Sequence, residues 1–209
     1  PYLGQHVLEL GAGIGANAQA LQHRRYARWL SVEPDAAMVQ RMKQGMAQGL
    51  LPPSHEAVCG TSLNLPRNER FDTVLYLDVL EHIEDDRAEL QRVTGLLQPG
   101  GHIVVLAPAH NFLYTPFDKK IGHFRRYDKA MLRAIVPHEL RIRRMQYLDS
   151  VGMLASLANK LLLRSDSPSP AQVRVWDSVM VRMSRLTDPL TGFRLGKSIV
   201  CVLQKPLTV

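Results

Sequence analysis

The sequence has few cysteines and no long apolar run, and both deficits exclude classes of protein. Its two cysteines, Cys59 and Cys201, have no motif spacing, so we interpret them as buried reduced thiols, which favours a cytoplasmic location. No run approaches 18 consecutive apolar residues, so we expect no transmembrane segment. The chain begins at Pro1, almost directly on a predicted strand and without a signal-like segment, and we expect further residues upstream.

Composition and charge indicate a soluble globular chain with one basic half. The 209 residues suit a single domain with a real core, and 45% of them are apolar against 22% charged. Residues 1–109 carry 9 Lys and Arg against 12 Asp and Glu, whereas residues 110–209 carry 17 against 7. The basic half is compatible with a nucleic acid, an anionic membrane surface, an anionic substrate, or simply a solvated face.

Apolar runs alternate with helical patterns through the first half. This rhythm predicts a doubly wound α/β fold with a parallel sheet covered by helices on both faces. The predicted strands are 6–10, 28–33, 55–60, 71–78 and 102–109, and the predicted helices are 15–28, 35–48 and 85–97.

The second half has a different pattern. After a long loop over 110–130, a short helix (about 128–136) and a strand around 141–149 are predicted. Two helical segments, 151–163 and 171–186, then form an insertion of about 151–187 before a last strand at 198–205.

The first loop, GAGIGA (11–16), raises the question of its ligand. It satisfies G-x-G-x-x-A, a form of the dinucleotide-binding fingerprint, and with Glu9 it also satisfies E-x-G-x-G-x-G. A tight strand-to-helix turn without a ligand is the alternative explanation of the glycines. Glu9 argues against a pyrophosphate, because its charge would oppose the phosphates, whereas a sulfonium with its ammonium group can use a nearby carboxylate. Glu33, at the end of the second strand, can accept both hydroxyls of a ribose in either case.

Four motifs in order, LELGAGIG, VEPD, FDTVLYLDVLEH and LLQPGGHIVV, make residues 5–109 similar to the class I, Rossmann-like S-adenosylmethionine-dependent methyltransferases, including bacterial members of unassigned substrate. The resemblance implies a seven-stranded, mostly parallel sheet of order 3-2-1-4-5-7-6 whose last strand is antiparallel. It also implies one methyltransferase domain over 1–209, with a cofactor-binding half (1–109) and an acceptor-side half (110–209).

The resemblance assigns S-adenosylmethionine to the carboxyl ends of the first strands, with S-adenosylhomocysteine as product. The cofactor-binding residues it implies are Glu9, Gly11, Ala12, Gly13, Gly15, Glu33, Pro34, Thr61, Ser62 and Asp78. Thr61 and Ser62 stand where the family usually has an acid for the adenine, which is a departure from its pattern.

The motif D-x-x-E-H, formed by Asp78, Glu81 and His82, is similar to an E-x-x-E-H that holds a divalent metal in ubiquinone-pathway and small-RNA methyltransferases. Here the first residue is one methylene shorter, and many methyltransferases with a DVLEH string use no metal. We therefore expect no metal.

The loop segment 117–128 is the predicted acceptor site, because it leaves the carboxyl end of the fifth strand. Within it His123 is a candidate base, and Arg125 or Arg126 could clamp an anionic acceptor. The predicted catalytic residues are His123, Asp78, Arg126 and Tyr127. A surface loop whose arginines and tyrosine pair locally is the alternative.

The sequence thus predicts methyl transfer to an O or N atom of a small-molecule or glycan- or lipid-linked acceptor. Two alternatives stay open: an RNA or other nucleic-acid methyltransferase, favoured by the basic half, and a non-catalytic cofactor-binding domain. No N-P-P-[FY] motif follows the fourth strand, so DNA is not an expected partner.

Overall fold

The computed structural model describes residues 2–158 and 179–207. Seven strands form one sheet in the order β3-β2-β1-β4-β5-β7-β6, as predicted. Strands β1 to β5 run parallel, and β7 is antiparallel to both β5 and β6. The strands are β1 (His6–Leu10), β2 (Arg28–Glu33), β3 (His55–Cys59), β4 (Phe71–Leu77), β5 (Leu97–Pro108), β6 (Arg141–Leu148) and β7 (Ser198–Gln204).

Helices connect these strands and cover both faces of the sheet. They are α1 (Ala16–Ala20), α2 (Ala36–Ala47), α3 (Asp86–Leu96), α4 (Pro116–Lys120), α5 (Lys129–Ile135), α6 (Ser150–Ala158) and α7 (Val181–Leu190). Short 3-10 helices lie at Ser62–Asn64, Leu80–His82 and Asn111–Leu113. None of the helices in the described ranges is long and apolar enough to cross a bilayer.

Three predicted boundaries were wrong. Helix α1 ends at Ala20 rather than near residue 28, because the chain must turn back to start β2 beside β1. Strand β5 begins five residues early, at Leu97, and a register shift in its pairing with β4 accommodates the Pro-Gly-Gly turn. Helix α7 continues to Leu190, four residues past the predicted end.

The helical insertion lies between β6 and β7, as predicted, although residues 159–178 fall outside the described ranges. Its two described helices are joined by Asp188, which is 4% exposed. The carboxylate of Asp188 accepts the backbone N–H groups of Asp149 (2.8 Å) and Ser150 (2.9 Å) at the start of α6. This contact links the last turn of α7 to the start of α6.

The core consists of two apolar layers, one on each face of the sheet. Successive residues of a strand point to opposite faces, so Val7 packs with Trp29 on one side while Leu8 packs with Val74 on the other. Burial on both faces is the reason that the central strands read as continuous apolar runs.

The cysteine prediction was half right. Cys201 is buried in β7, where desolvation raises the pKa of its thiol to about 12. Cys59 is exposed, because it is the last residue of β3 and β3 is an edge strand of the sheet. The expectation of two buried thiols was therefore wrong for Cys59.

Candidate active site

The glycine loop follows β1 at the carboxyl edge of the sheet, where open α/β folds bind their ligands. Gly11, Gly13 and Gly15 all have left-handed backbone conformations, with φ of 65°, 57° and 86°. A Cβ atom at Gly11 would lie 2.5 Å from the side chain of Val79. The loop therefore needs glycine both for its backbone angles and for its contact with the segment after β4. Ala12, between the first two glycines, is buried.

Glu33 ties this loop to the end of β2. Its Oε2 accepts the backbone N–H of Gly13 at 2.9 Å, and its Oε1 accepts the backbone N–H of Asp35 at 3.0 Å. The carboxylate is 7% exposed, and each oxygen keeps acceptor capacity beyond these bonds. Pro34, which follows it, is exposed. The arrangement holds a carboxylate beside the loop, where a ribose could meet it.

Glu9 lies beneath the loop rather than in an open cleft. It is 1% exposed and accepts hydrogen bonds from Asn17 Nδ2 (2.9 Å), Trp29 Nε1 (3.0 Å) and Ser31 Oγ (3.1 Å). Burial raises the pKa of the carboxyl group, and these three hydrogen bonds oppose that rise. Glu9 therefore anchors the strand-to-loop turn from below, and its predicted role toward the cofactor stays a prediction.

The two residues predicted near the adenine are arranged differently from each other. Thr61 is exposed at the carboxyl end of β3 and caps the short helix that follows. Ser62 points inward, is 3% exposed, and donates its hydroxyl to Glu89 Oε2 at 2.6 Å. Because that bond turns the side chain into the core, the structure does not present Ser62 to an adenine.

Asp78 directly follows β4 and enters the site in a left-handed conformation, with φ of 56°. Its backbone N–H donates to the carbonyl of Leu106 on β5 at 2.8 Å, which fixes the start of the turn. The side chain is open to solvent, yet the surrounding protein desolvates it enough to raise its pKa, against the opposing charges of Lys197 and His82.

The predicted acceptor segment is built around Asp118, which is 1% exposed. Arg126 donates to it from Nε (3.0 Å) and Nη2 (2.9 Å), and Thr115 donates its backbone N–H (2.8 Å). His123 Nδ1 lies 2.9 Å from Asp118 Oδ1. Burial would raise the pKa of Asp118, but the hydrogen bonds and charge of Arg126 leave it lowered.

Three ligand-capable side chains meet where this segment touches the turn after β4. We call Glu81, His82 and His123 the Glu81 cluster; one ligand atom of each lies within 4.8 Å of the others. His123 Nε2 is 3.8 Å from Glu81 Oε1, and the His82 and His123 rings meet edge to face with centroids 4.6 Å apart. The backbone N–H of Phe124 donates to the carbonyl of Glu81 at 2.8 Å and holds the two segments together.

Glu81 is the unusual member of this cluster. It is 0% exposed, and within residues 2–158 and 179–207 neither carboxylate oxygen has a hydrogen-bond partner. Desolvation raises the pKa of its carboxyl group to about 8. For His123, desolvation lowers the pKa of the imidazole, although its bond to Asp118 opposes that. The site therefore pairs a buried, unsatisfied carboxyl group with an oriented imidazole.

The arginines and the tyrosine of the segment are already engaged within the protein. Arg125 donates to Asp86 Oδ2 at 2.6 Å, and Tyr127, which is 1% exposed, donates its hydroxyl to the same oxygen at 2.7 Å. Arg126 is committed to Asp118. The structure thus places Arg125, Arg126 and Tyr127 as supports of the segment, in the local pairing that the alternative interpretation described.

The order of the sheet and the loop at its carboxyl edge agree with the comparison with known proteins. Residues 8–105 match the family model of a methyltransferase domain. The chain has the class I S-adenosylmethionine-dependent methyltransferase fold.

Relatives of known sequence match about half of this chain. The chain is 33% identical over 102 residues to a protein named ubiquinone biosynthesis O-methyltransferase from Bradyrhizobium sp. (strain ORS 278), covering 49% of this chain and 39% of that protein. It is 35% identical over 102 residues to an uncharacterized methyltransferase of Mycobacterium tuberculosis, covering 49% of this chain and 50% of that one. The chain thus spans half or less of the length of these two relatives.

Solved structures extend the likeness to nearly the whole methyltransferase fold. An S-adenosylmethionine-dependent methyltransferase from Mesorhizobium loti superposes with a TM-score of 0.65 at 15% identity, over 98% of this chain and 93% of that one. The N-methyltransferase NodS from Bradyrhizobium japonicum in complex with S-adenosylhomocysteine superposes with a TM-score of 0.58 at 16% identity, over 96% and 77%. At these identities the likeness shows the fold.

The sequence did not predict which residues of the site contact one another. It named Asp78, Glu81 and His82 as a group, whereas the cluster found in the described ranges pairs Glu81 and His82 with His123. It also missed Lys197, which is 3.5 Å from Asp149 and whose pKa is lowered by burial. No spacing rule could have found these contacts, since they join residues far apart in the chain.

Proposed function

We propose that this protein transfers the methyl group of S-adenosylmethionine to an oxygen or nitrogen atom of a small-molecule acceptor. The observation that carries the proposal is the adjacency of two structures at one edge of the sheet. One is the glycine loop with Glu33, and the other is the Glu81 cluster. The two are adjacent because Asp78 and Val79 come shortly before Glu81 in the chain and the side chain of Val79 packs against Gly11 of the loop. A cofactor held by the first would present its methyl group toward the second.

The cofactor side of the proposal uses Gly11, Ala12, Gly13, Gly15, Glu33, Pro34 and Asp78. The glycine loop lets the cofactor lie close to the backbone, the carboxylate of Glu33 accepts hydrogen bonds from the ribose hydroxyls, and Asp78 faces the bound cofactor. Glu9 acts through the hydrogen bonds that fix the turn. In this division residues 1–109 bind the cofactor and residues 110–209 form the acceptor side of a single domain.

The acceptor side of the proposal centres on His123. Attack by the acceptor heteroatom forms a bond to the methyl carbon while the carbon–sulfur bond breaks, and S-adenosylhomocysteine leaves as a neutral thioether. The proton of an acceptor hydroxyl passes to Nε2 of His123, whose other nitrogen is held by Asp118. Arg126 and Tyr127 act as positioning residues, through Asp118 and Asp86.

A small hydroxylated acceptor is supported by the relatives. The proteins of Bradyrhizobium and Rhodopseudomonas that match this chain are named ubiquinone biosynthesis O-methyltransferases. The test incubates the protein with S-adenosylmethionine carrying a labelled methyl group and a panel of catechols, other hydroxylated aromatics and small amines. We expect label in at least one acceptor, and we expect His123→Ala to lower turnover while binding of S-adenosylhomocysteine persists. Binding of S-adenosylhomocysteine without label transfer to any acceptor pool would favour the non-catalytic alternative.

A further inference from the structure

We propose that helix α7 lies on the surface of an anionic membrane, with its exposed apolar side chains among the lipids and its arginines at the headgroups. In this arrangement the helix lies along the surface and does not cross it. The proposal concerns where the protein binds rather than what it methylates, so it does not depend on the proposed function.

The first observation is that α7 directs its polar side into the protein and its apolar side outward. Ser184 and Asp188 are 2% and 4% exposed, and both contact the start of α6. The apolar residues Met183, Leu186 and Leu190 are 49%, 75% and 86% exposed. A surface helix of a globular protein ordinarily has the opposite orientation, with its apolar residues toward the core.

The exposed apolar residues of α7 share one side of the helix, which we call the α7 stripe. Spacings of three and four residues bring Met183, Leu186 and Leu190 together on that side. Val179, four residues before Met183, is 48% exposed. The neighbouring α6 exposes Leu154, at 62%, and has no charged residue in its whole length. Single exposed leucines are common on proteins, whereas a group of this kind marks a surface that binds an apolar partner.

The second observation is the sign of the charge beside the α7 stripe. Arg182 and Arg185 are exposed, and Arg182 lies one turn before Leu186. Arg194, four residues past the end of α7, is exposed as well. The only acid within α6 and α7 is Asp188, which is buried and accepts backbone N–H groups. Arginines beside an apolar face are typical of helices that lie on anionic membranes.

These charges favour a membrane over two other partners. A second copy of the chain on the α7 stripe would bring two basic surfaces together, and like charges repel. A nucleic acid would pair with the arginines but leave the apolar residues in water, because its phosphates offer charged contacts. A membrane that contains anionic lipids suits both features, since acyl chains contact the leucines while headgroups pair with the arginines.

The experiment is cosedimentation of the whole chain with lipid vesicles. One set of vesicles contains only phosphatidylcholine, and the other contains equal amounts of phosphatidylcholine and phosphatidylglycerol. We expect binding to the mixed vesicles and roughly tenfold or more weaker binding to the neutral ones. We also expect the affinity for mixed vesicles to fall as salt is added, because salt screens the attraction between arginines and headgroups.

Two double variants test the two features separately. Leu186→Gln with Leu190→Gln removes apolar contact and should weaken binding to mixed vesicles by roughly tenfold or more. Arg182→Gln with Arg185→Gln should weaken it roughly 10–30-fold and reduce its salt dependence. All four side chains are exposed, so we expect both variants to fold, which circular dichroism and thermal unfolding check.

The matched controls lie near β3, at the opposite edge of the sheet from β6 and the α7 stripe. Leu63→Gln replaces a leucine that is 69% exposed, and Arg41→Gln with Lys43→Gln removes two exposed charges from α2. Both controls should bind mixed vesicles as the unchanged protein does. Absence of binding to mixed vesicles, or equal binding by the α7 variants and the controls, would overturn the proposal. A dimer that forms without lipid and dissociates in Leu186→Gln with Leu190→Gln would assign the α7 stripe to a second copy and also overturn it.

Discussion

The carboxylate of Glu33 should contribute more to cofactor binding than any other single side chain of the loop region. The perturbation is Glu33→Gln, which keeps the size of the side chain and removes its charge. Both oxygens now accept backbone N–H groups, from Gly13 at 2.9 Å and from Asp35 at 3.0 Å. In the variant one oxygen becomes an NH₂ group, so one of these N–H groups faces another donor.

The expected magnitude follows from these bonds. A hydrogen bond to a charged group contributes about 1.5–3 kcal/mol, and about 1.4 kcal/mol corresponds to a tenfold change in affinity. Loss of the charge toward the ribose hydroxyls and distortion of the loop at Gly13 should therefore weaken binding of S-adenosylhomocysteine roughly 10–100-fold. Because one buried N–H group loses its acceptor, the free energy of unfolding should also fall by about 1–3 kcal/mol.

The assay is isothermal titration calorimetry with S-adenosylhomocysteine, with urea unfolding in parallel. Glu56→Gln is the matched control, since Glu56 lies on the neighbouring strand β3, pairs with Arg28, and has a side chain 51% exposed. The control should bind S-adenosylhomocysteine normally. An affinity of Glu33→Gln within a factor of two of the unchanged protein would refute the assignment of Glu33 to the ribose.

Two further predictions concern stability. Desolvation lowers the pKa of His55 to about 4 in the folded protein. Below the ordinary histidine pKa of 6.5, the unfolded chain therefore binds a proton at His55 that the folded protein does not. As a result, the free energy of unfolding should fall by about 2 kcal/mol between pH 7.5 and pH 5. His55→Phe should remove that part of the pH dependence in urea unfolding, and an unchanged dependence would contradict the reasoning. Asp188→Ala leaves two backbone N–H groups at the start of α6 without their acceptor, so unfolding free energy should fall by about 2–4 kcal/mol. Asp188→Asn, which keeps one acceptor, should lose less, and equal losses in thermal unfolding would speak against capping as the cause.

The elements that the sequence predicted well are those specified by local pattern. Strand β2 has the predicted bounds, Arg28–Glu33, because a short apolar run between polar turns is best accommodated as a buried strand. The glycine loop and Glu33 lie at the carboxyl edge as predicted, because the loop directly follows β1 and Glu33 is the last residue of β2. Here the pattern and the fold depend on the same few neighbouring residues.

The parts that could not be predicted depend on contacts between distant segments. Ser62 turns inward because Glu89 on α3 accepts its hydroxyl, and the sequence around Ser62 contains no sign of that partner. His123 joins Glu81 because the acceptor segment folds back over the turn after β4. Cys59 is exposed because β3 is an edge strand, a property of the sheet order rather than of the apolar residues around it.

The most direct test of the central claim compares two ligands on the whole chain. Calorimetric titration with S-adenosylhomocysteine and, separately, with NADH asks for which ligand the loop of Gly11, Gly13 and Gly15 is built. The account predicts saturable binding of one S-adenosylhomocysteine per chain and no binding of NADH at the same concentration. Binding of NADH, or no binding of S-adenosylhomocysteine at millimolar concentration, would contradict it.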